Sequence, residues 1–298
     1  MSIDQDGIKL KFDTSEYKTS IHPKWCPGCG DFAILKAVKN ALYELQIDPT
    51  QTILVAGIGC SSKMMHSVGV YGLHTIHGRA LPVATGVKLG NHGLNVIAFG
   101  GDGDMMGIGG NHFLHAARRN TDMLLIIPNN QTYGLTTGQA SPTSDFGYKT
   151  STSPDGTIEM PLNATQLALT AGATFVARSS SADNDHLQKM IEEGMKHEGF
   201  AVIDVLQFCI TFNKINTPDY YEPRLYDTSE DKDFDPSDLN QAMVKSYQWG
   251  DKIPKGVIYK NTTKPVFDKE IPQLQNTPMA LREHDKPVDV NKIFNDLR

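Results

Sequence analysis

Short apolar runs alternate along the sequence with longer segments in which apolar residues recur every three or four positions. In the segment 31–46, Leu35, Val38, Leu42 and Leu45 follow this spacing, which predicts an amphipathic helix. Continuous apolar runs predict strands that are buried on both sides. Helices are expected over 31–46, 81–93, 108–120, 163–172 and 182–197, and strands over 51–60, 94–101, 122–130, 174–178 and 200–208. The alternation is typical of βαβ units and predicts an α/β fold, a parallel sheet with helices on both faces.

Three segments show no clear period. Residues 61–80 carry three histidines, and we expect a loop with short helical pieces there. The segment 131–162 is rich in Gly, Thr, Ser and Pro, and so long a loop within a compact domain is usually functional. After about residue 212 the chain becomes polar. We therefore expect a main domain over 1–211 and an extended C-terminal arm over 212–298, which packs on a partner or on the main domain.

Composition narrows the class of protein. Hydrophobic residues make up 39% and charged residues 21% of the 298 positions, as in a folded globular protein. The net charge of −6 argues against nucleic acid as the main partner. The N-terminus has no basic start followed by an apolar run, and no apolar run is long enough to cross a bilayer, so we expect a cytoplasmic protein. In that reducing compartment, cysteines serve more often as ligands or catalysts than as disulfide partners.

Two polar motifs follow neighbouring strands. "GDGD" (101–104) ends one strand and "NN" (129–130) ends the next, with one helix between them. Asp102 and Asn130 should therefore lie side by side at the carboxyl edge of the sheet, where ligands bind in such folds. Their oxygens suit Mg²⁺ or Ca²⁺, a diphosphate could supply the remaining ligands, and glycines allow close approach of the backbone. Either motif alone would be read as a surface turn, and it is their pairing that favours a site.

The chain has four cysteines. Cys26 and Cys29 form a C-x₂-C pair, whereas Cys60 and Cys209 each follow a predicted strand. Four thiolates suit either a tetrahedral zinc or a cubane iron–sulfur cluster, and a C-x₂-C pair is also known from redox disulfides. One pair with two distant single cysteines favours a cluster held between separate elements, although Cys60 and Cys209 could also be ordinary buried thiols. Spacing alone leaves these alternatives open.

The two polar motifs together resemble the thiamine diphosphate motif, which implies that Asp102, Asn130 and the carbonyl of Thr132 hold Mg²⁺. The resemblance extends further, to the β subunits of the 2-oxoacid:ferredoxin oxidoreductases, over residues 20–225. It rests on six motifs in order: "HPKWCPGCGDF", "GIGCSSK", "HGRALPVATG", "GDGD", "NNQTYGLTTGQ" and "FCITFNK". In that family the four cysteines at these positions hold a [4Fe–4S] cluster. The form "YGLTTGQASPT" most resembles the members that act on 2-oxoglutarate.

The resemblance also implies roles for individual residues. Cofactor contacts are expected from Ile58, Gly59, Cys60, Ser61, Gly101, Asp102, Gly103, Asp104, Asn130, Thr132, Gly134, Leu135 and Thr136. Leu135 is expected to support the bent thiamine, with ordinary core packing as the alternative. Independently of the resemblance, Asp104 is a candidate to cap the following helix and to hold water at the phosphates. His77 and Arg79 are candidates for contact with the cofactor or a substrate carboxylate. Lys63 is a candidate for a cation near substrate or cofactor, and a solvated loop lysine is the alternative.

The activity implied is the CoA-dependent oxidative decarboxylation of a 2-oxo acid, with electrons passing through the cluster to ferredoxin, or the reverse. Thiamine enzymes also need a glutamate beside the aminopyrimidine ring. In this family it comes from a partner α subunit that carries the pyrimidine-binding domain, so we expect the chain to be inactive alone. Two other functions stay open: a thiamine-dependent lyase or synthase subunit with structural cysteines, and a non-enzymatic, zinc-stabilised docking subunit.

Overall fold

The computed structural model describes residues 11–282 and 289–297. Residues 1–10, from which the absence of a signal peptide was predicted, lie outside the described residues. The strands are β1 Thr52–Ala56, β2 Tyr71–His74, β3 Asn95–Phe99, β4 Met123–Asn129, β5 Thr132–Tyr133, β6 Gln139–Ala140, β7 Phe175–Ser180, β8 Phe200–Leu206, β9 Leu225–Asp227 and β10 Ile253–Lys260. The helices are α1 Asp31–Glu44, α2 Ala80–Gly90, α3 Gly110–Arg119, α4 Ala164–Ala171, α5 Asn184–Lys196, α6 Pro218–Tyr221, α7 Leu239–Tyr247 and α8 Val290–Asp296.

Eight of the strands form one sheet in the order β2-β1-β3-β4-β8-β7-β10-β9. The pairings are parallel, except that β10 runs antiparallel to β7. All seven residues of β4 and all seven of β8 are buried, as expected for central strands of a parallel sheet. The predicted α/β fold is confirmed.

Side chains along each strand alternate between two cores. Leu124 and Ile126 of β4 face the core that contains α1 and α5, whereas Leu125 and Ile127 face the core that contains α2, α3, α4 and α7. This two-residue period follows from the strand geometry, and helices on both faces account for the absence of polar alternation in the sequence. Among the described residues, no helix is both long and apolar enough to span a membrane.

Two segments differ from expectation next to the carboxyl edge of the sheet. The predicted loop 61–80 contains a short 3₁₀ helix, Ser61–His66, and then the edge strand β2, whose four residues are all exposed. An exposed edge strand carries no apolar run, so the pattern missed it. The helix expected over 108–120 is preceded by a π-helical turn, Gly103–Ile108, which follows Asp102 directly. π-helical turns are frequent at functional sites.

The C-terminal segment adds to the main sheet. β9 and β10 extend the sheet beyond β7, and α7 packs on α4 and β10. The segment 212–298 was expected to pack on a partner or on the main domain. Its β9, α7 and β10 pack on the main domain. The long loop 131–162 is largely irregular and contains the hairpin of β5 and β6, with Thr132 paired to Ala140.

Candidate cofactor and metal site

A cleft of about 530 Å³, including its open mouth, lies at the carboxyl ends of β1, β3 and β4. All of the residues expected to contact the cofactor line it, and so do His77 and Tyr133. The predicted residues are Ile58, Gly59, Cys60, Ser61, Gly101, Asp102, Gly103, Asp104, Asn130, Thr132, Gly134, Leu135 and Thr136. Parallel strands end at the same edge of a sheet, which is why residues from three distant parts of the chain meet here.

Asp102 lines the cleft and is almost completely buried. Its Oδ2 accepts hydrogen bonds from the Ser141 hydroxyl and from Thr143 Oγ1, the latter at 2.6 Å. Burial is the largest influence and raises the pKa of Asp102, whereas these hydrogen bonds oppose the rise. A divalent cation beside a buried carboxylate would favour its charged form, so the environment of Asp102 fits a metal ligand.

Asn130 and Thr132 are brought together by a left-handed residue. Gln131 between them has φ of 56°, which is uncommon for a residue with a side chain. The turn lets Asn130 Oδ1 accept a hydrogen bond from the Thr132 backbone N–H at 3.0 Å. An amide oxygen keeps a second lone pair for a cation. A carboxylate, an amide oxygen and a backbone carbonyl form the oxygen-rich set that Mg²⁺ prefers, so the donor set fits the expected metal.

Glycines make the cleft possible at two positions of close approach. A Cβ atom at Gly57 would lie 1.7 Å from Asp104 Oδ2, and one at Gly103 would lie 2.3 Å from a ring carbon of Tyr133. Neither position can carry a side chain without moving its neighbour. The Tyr133 hydroxyl in turn donates to the Gly103 carbonyl at 3.0 Å. A cradle formed by backbone and glycine fits a diphosphate, which requires close contact with main-chain N–H groups.

Asp104 does not cap a helix but connects the segments around Ile58 and Gly78 by hydrogen bonds. Its Oδ1 accepts hydrogen bonds from the backbone N–H groups of Ile58 at 3.2 Å and Gly78 at 2.7 Å, and it contacts His77 Nδ1. The expected cap is wrong, because Asp104 lies inside the π-helical turn that begins at Gly103, and the turn has no side-chain cap. Asp104 Oδ2 is buried and has no hydrogen-bond partner among the described residues.

The four residues considered as catalytic candidates separate into two groups. His77 and Leu135 line the cleft, and the Leu135 side chain is 43% exposed there. Arg79 and Lys63 do not line it. Arg79 Nη1 donates to the carbonyl of His77 at 3.0 Å, and Lys63 lies one turn after Cys60, where its charge lowers the pKa of that thiol against the larger opposing effect of burial.

The four cysteines are neighbours at one side of the cleft. A Cβ atom at Gly134 would lie 3.3 Å from Cys209 Sγ and 3.9 Å from Cys60 Sγ, so both thiols border the same small space. Cys29 is close enough to Cys209, and Cys60 to Cys26, for their charges to interact. Gln207 Nε2 donates to Cys29 Sγ at 3.3 Å. Four thiols gathered from the N-terminal loop and two strand ends fit the ligand set of a cluster.

The thiols do not converge on one point. In residues 11–282 and 289–297, no group of three or more His, Cys, Asp or Glu side chains is arranged to hold a metal ion. In a cubane cluster each cysteine binds a different iron, so its ligands lie farther apart than those of one ion. Burial is the largest influence on Cys29 and Cys60 and raises the pKa of each thiol.

Three polar residues of this region were not found from the sequence. Ser141 and Thr143 lie in the long loop, where no period links them to Asp102. Asp31 begins α1 and is fully buried beside the thiols, and its Oδ1 accepts a hydrogen bond from Ser61 Oγ at 2.9 Å. Burial raises the pKa of Asp31 to about 6. In the sequence, Asp31 is simply an acidic residue in the first turn of a helix, where such residues are common.

Comparison with known proteins identifies similar chains. The family model described as thiamine pyrophosphate enzyme, C-terminal TPP binding domain, matches residues 57–205. The model for the C-terminal part of the pyruvate ferredoxin oxidoreductase beta subunit matches residues 209–276. The 2-oxoacid:ferredoxin oxidoreductase 1 subunit beta of Aeropyrum pernix is 46% identical in an alignment of 302 positions, which covers 94% of this chain and 95% of the relative. The 2-oxoglutarate synthase subunit KorB of Archaeoglobus fulgidus is 42% identical, over 70% of this chain and 79% of the relative.

One solved structure is similar over almost the full length. It is the 2-oxoglutarate:ferredoxin oxidoreductase from Magnetococcus marinus with 2-oxoglutarate, coenzyme A and succinyl-CoA bound. Its matching chain superimposes with a TM-score of 0.87 at 40% sequence identity, and the match covers 97% of each chain.

Proposed function

We propose a function on the premise that the chain belongs to the β-subunit family of the 2-oxoacid:ferredoxin oxidoreductases, a family of oxidoreductases. The proposed reaction converts a 2-oxo acid, CoA and two oxidised ferredoxins into an acyl-CoA, CO₂, a proton and two reduced ferredoxins. Two electrons leave the substrate and each ferredoxin accepts one, so the reaction is balanced. The reverse reaction, reductive carboxylation, uses the same site when ferredoxin is sufficiently reduced.

The observation that carries this proposal is the position of Gly134. This residue lines the cofactor cleft and also lies against the thiols of Cys60 and Cys209. Cys60 itself lines the cleft. Thiamine diphosphate, when bound, provides the carbanion chemistry of decarboxylation and accepts the substrate's electrons. A [4Fe–4S] cluster held by Cys26, Cys29, Cys60 and Cys209 would then lie next to the cofactor, at the place where electrons must leave.

The chain's own residues would hold the cofactor and its metal. Asp102, Asn130 and the Thr132 carbonyl would bind Mg²⁺, as their donor types favour. Because Asp104 Oδ1 contacts Nδ1 of His77, the imidazole is oriented with its Nε2 left for a ligand. His77 can therefore accept or donate a proton at Nε2 within the cleft. The Leu135 side chain would support the cofactor from below, since it projects into the same cleft.

The proposed substrate is 2-oxoglutarate, and the product is succinyl-CoA. Support comes from the relatives, of which several are named KorB or 2-oxoglutarate synthase, and from the Magnetococcus marinus structure, which contains 2-oxoglutarate and succinyl-CoA. Lys63 and Arg79 are the candidates for binding a carboxylate of the substrate. Neither residue lines the cofactor cleft, so each would have to reach the substrate from outside the cleft lining.

The proposed partner is an α subunit that carries the pyrimidine-binding domain and the activating glutamate, together with ferredoxin as electron acceptor. The relatives are named as β subunits of ferredoxin oxidoreductases, which supports a partner subunit. We also propose that the C-terminal arm contacts that subunit. In α8 and at the residue that follows it, the side chains of Val290, Ile293, Phe294 and Leu297 recur at helical spacing and are each 48–78% exposed. An amphipathic stripe of this kind is typical of a helix that packs on another protein.

The test compares the chain alone with the co-expressed α–β complex. Each is supplied with thiamine diphosphate, Mg²⁺, CoA and either 2-oxoglutarate or pyruvate, and reduction of a viologen dye is followed without oxygen. The proposal expects turnover only by the complex, with a higher kcat/KM for 2-oxoglutarate. Full turnover by the chain alone contradicts the partner. Product formation without dye reduction favours the lyase or synthase, and a colourless chain with stoichiometric zinc favours the docking subunit.

A further inference from the structure

The hydroxyl of Thr143 lies between two buried acceptors. Thr143 Oγ1 is 2.6 Å from Asp102 Oδ2 and 2.9 Å from Asn129 Oδ1, and all three residues are buried. A hydroxyl has one hydrogen, so donation to both acceptors requires a three-centre hydrogen bond. In this arrangement the Asn129 carbonyl oxygen confines the position of the hydroxyl that holds Asp102.

The amide of Asn129 is fixed from its other end. Its Nδ2 donates to Asp204 Oδ1 at 3.0 Å. Asp204 Oδ2 accepts a hydrogen bond from Arg178 Nε at 3.0 Å, and both side chains of this ion pair are at most 1% exposed. A reversed Asn129 amide would place its carbonyl oxygen against the Asp204 carboxylate without a hydrogen, which is costly in a buried site. The orientation of Asn129 is therefore determined.

Arg178 anchors the far end of this series of contacts. Its Nη2 donates to Thr165 Oγ1 at 2.9 Å, and its Nη1 donates to the Pro254 carbonyl at 3.4 Å. The guanidinium thus joins α4, β10 and β8. Since α4 packs on the sheet and β10 is one of its strands, the main sheet is connected through Asp204 to Asn129 and from there to the edge of the cofactor cleft.

These residues lie outside the lining of the cofactor cleft. Asn129, Thr143, Asp204 and Arg178 line a second cleft of about 620 Å³ and not the cofactor cleft. Asn130 points into one cleft and Asn129 into the other, as consecutive residues of an extended chain do. Any effect of Asn129 or Thr143 on a bound cation must therefore pass through Asp102 or through the backbone.

We propose that Thr143 and Asn129 are positioning residues that orient Asp102 for the divalent cation, by a buried series of polar contacts from Arg178 through Asp204 to Asp102. The inference rests on the proposed function, in which Asp102 binds Mg²⁺. A carboxylate that is free to rotate must lose conformational entropy when it binds an ion, and this loss weakens ion binding. Hydrogen bonds that hold Asp102 in one orientation reduce that cost. Mutation of a residue that hydrogen-bonds to a metal ligand typically lowers metal affinity by about 10- to 100-fold.

The experiment measures how much Mg²⁺ is needed for thiamine diphosphate binding. The α–β complex is titrated with MgCl₂ at a fixed thiamine diphosphate concentration, and binding is followed by calorimetry and by quenching of tryptophan fluorescence. The variants are Thr143→Val, Thr143→Ser, Asn129→Val and the double variant Asn129→Val/Thr143→Val. Thr157→Val is the matched control, because Thr157 lies in the same loop and donates to the Asp145 carbonyl at 2.8 Å without touching this series. Melting temperature and visible absorbance are measured for each.

Thr143→Val is expected to raise the Mg²⁺ concentration for half-saturation by about 10- to 100-fold, and Thr143→Ser to restore it to within about threefold of wild type. Asn129→Val should raise it less, and the double variant should equal Thr143→Val, because Asn129 acts through Thr143. Thr157→Val should leave it unchanged.

An unchanged Mg²⁺ requirement in Thr143→Val overturns the inference, as does a double variant whose effects multiply. A requirement that rises equally in Thr157→Val, in step with a lower melting temperature, also overturns it, since the effect is then a general loss of stability. If wild type binds thiamine diphosphate without any dependence on Mg²⁺, the proposed function itself fails, and that result is distinct from the others.

Discussion

Gly134 lies against the thiol of Cys209, so that even the smallest side chain at position 134 would contact the sulfur at 3.3 Å. This contact is tighter than ordinary van der Waals packing and would move the sulfur of Cys209, a proposed cluster ligand. Gly134→Ala is therefore expected to lower the amount of cluster retained per chain, measured as iron content and visible absorbance. Gly86→Ala is the matched control because a Cβ there meets no atom of the described chain within 4 Å. Equal cluster content in Gly134→Ala and wild type would contradict this account of the thiols.

Gln207 is expected to tune the cluster. Its amide donates to Cys29 Sγ at 3.3 Å, and hydrogen bonds to the ligand sulfurs stabilise the reduced, more negative cluster. Gln207→Leu should therefore shift the reduction potential to a more negative value, measured by redox titration followed by electron paramagnetic resonance. Gln188→Leu, which removes a glutamine that bonds to Glu192 on α5, should leave the potential unchanged. An unchanged potential in Gln207→Leu, or a shift to more positive values, would contradict this role of the hydrogen bond.

Asp102 is expected to be essential for cofactor binding and dispensable for the cluster. Asp102→Asn keeps the shape of the side chain but removes the charge that favours Mg²⁺, so Mg²⁺-dependent binding of thiamine diphosphate should fall by about 100-fold or more, beyond the loss for an outer partner. Iron content should stay at the wild-type level. The control is Asp235→Asn, since Asp235 lies on the surface. Retained cofactor affinity in Asp102→Asn would contradict the assigned metal site.

The buried carboxyl group of Asp31 is expected to make the free energy of unfolding depend on pH. Its pKa is raised to about 6 in the folded chain, whereas an aspartate in an unfolded chain titrates near 3.9. The folded state therefore binds this proton more tightly, and stability is lost as the pH rises from about 4 to about 6. Asp31→Asn removes the charge, so its advantage over wild type should grow across that range to about 2 to 3 kcal/mol, at about 1.4 kcal/mol per pKa unit.

The measurement is the difference in melting temperature between Asp31→Asn and wild type at pH 4.5 and pH 7.5. Asp251→Asn serves as the control because Asp251 is exposed. The asparagine can still accept the hydrogen bond from Ser61, so the comparison isolates the charge. A difference that is equal at both pH values, or larger at pH 4.5, would show that Asp31 is not held in the protonated form by burial.

The sequence predicted those parts of the fold in which burial leaves a continuous apolar run or a regular apolar spacing along the chain. The runs that became β4 and β8 are buried on both faces, so all of their residues except Asn129 and Asp204 are apolar, and the strands could be located. β2 was missed because all four of its residues are exposed at the edge of the sheet. The π-helical turn after Asp102 was missed because glycine and methionine at 103–108 favour no particular helix type.

The site shows the same division. Asp102 and Asn130 could be paired because each closely follows the end of a strand, and strand ends meet at one edge. Ser141 and Thr143 could not be assigned, since they contact Asp102 from an irregular loop about 40 residues away in sequence. Lys63 and Arg79 were expected near the ligands from their neighbours in sequence, but side-chain direction decides that question. Arg79 instead donates to the carbonyl of His77.

The central claim is that electrons from a 2-oxo acid leave through the four cysteines of this chain. The most direct measurement is anaerobic electron paramagnetic resonance of the α–β complex after addition of 2-oxoglutarate and CoA, for wild type and for Cys209→Ser. The account predicts a brown complex that bleaches on addition of substrate and gives the signal of a reduced [4Fe–4S] cluster, and a Cys209→Ser complex that binds thiamine diphosphate but gives no such signal. A colourless wild-type complex with bound zinc, or an unchanged signal in Cys209→Ser, would contradict it.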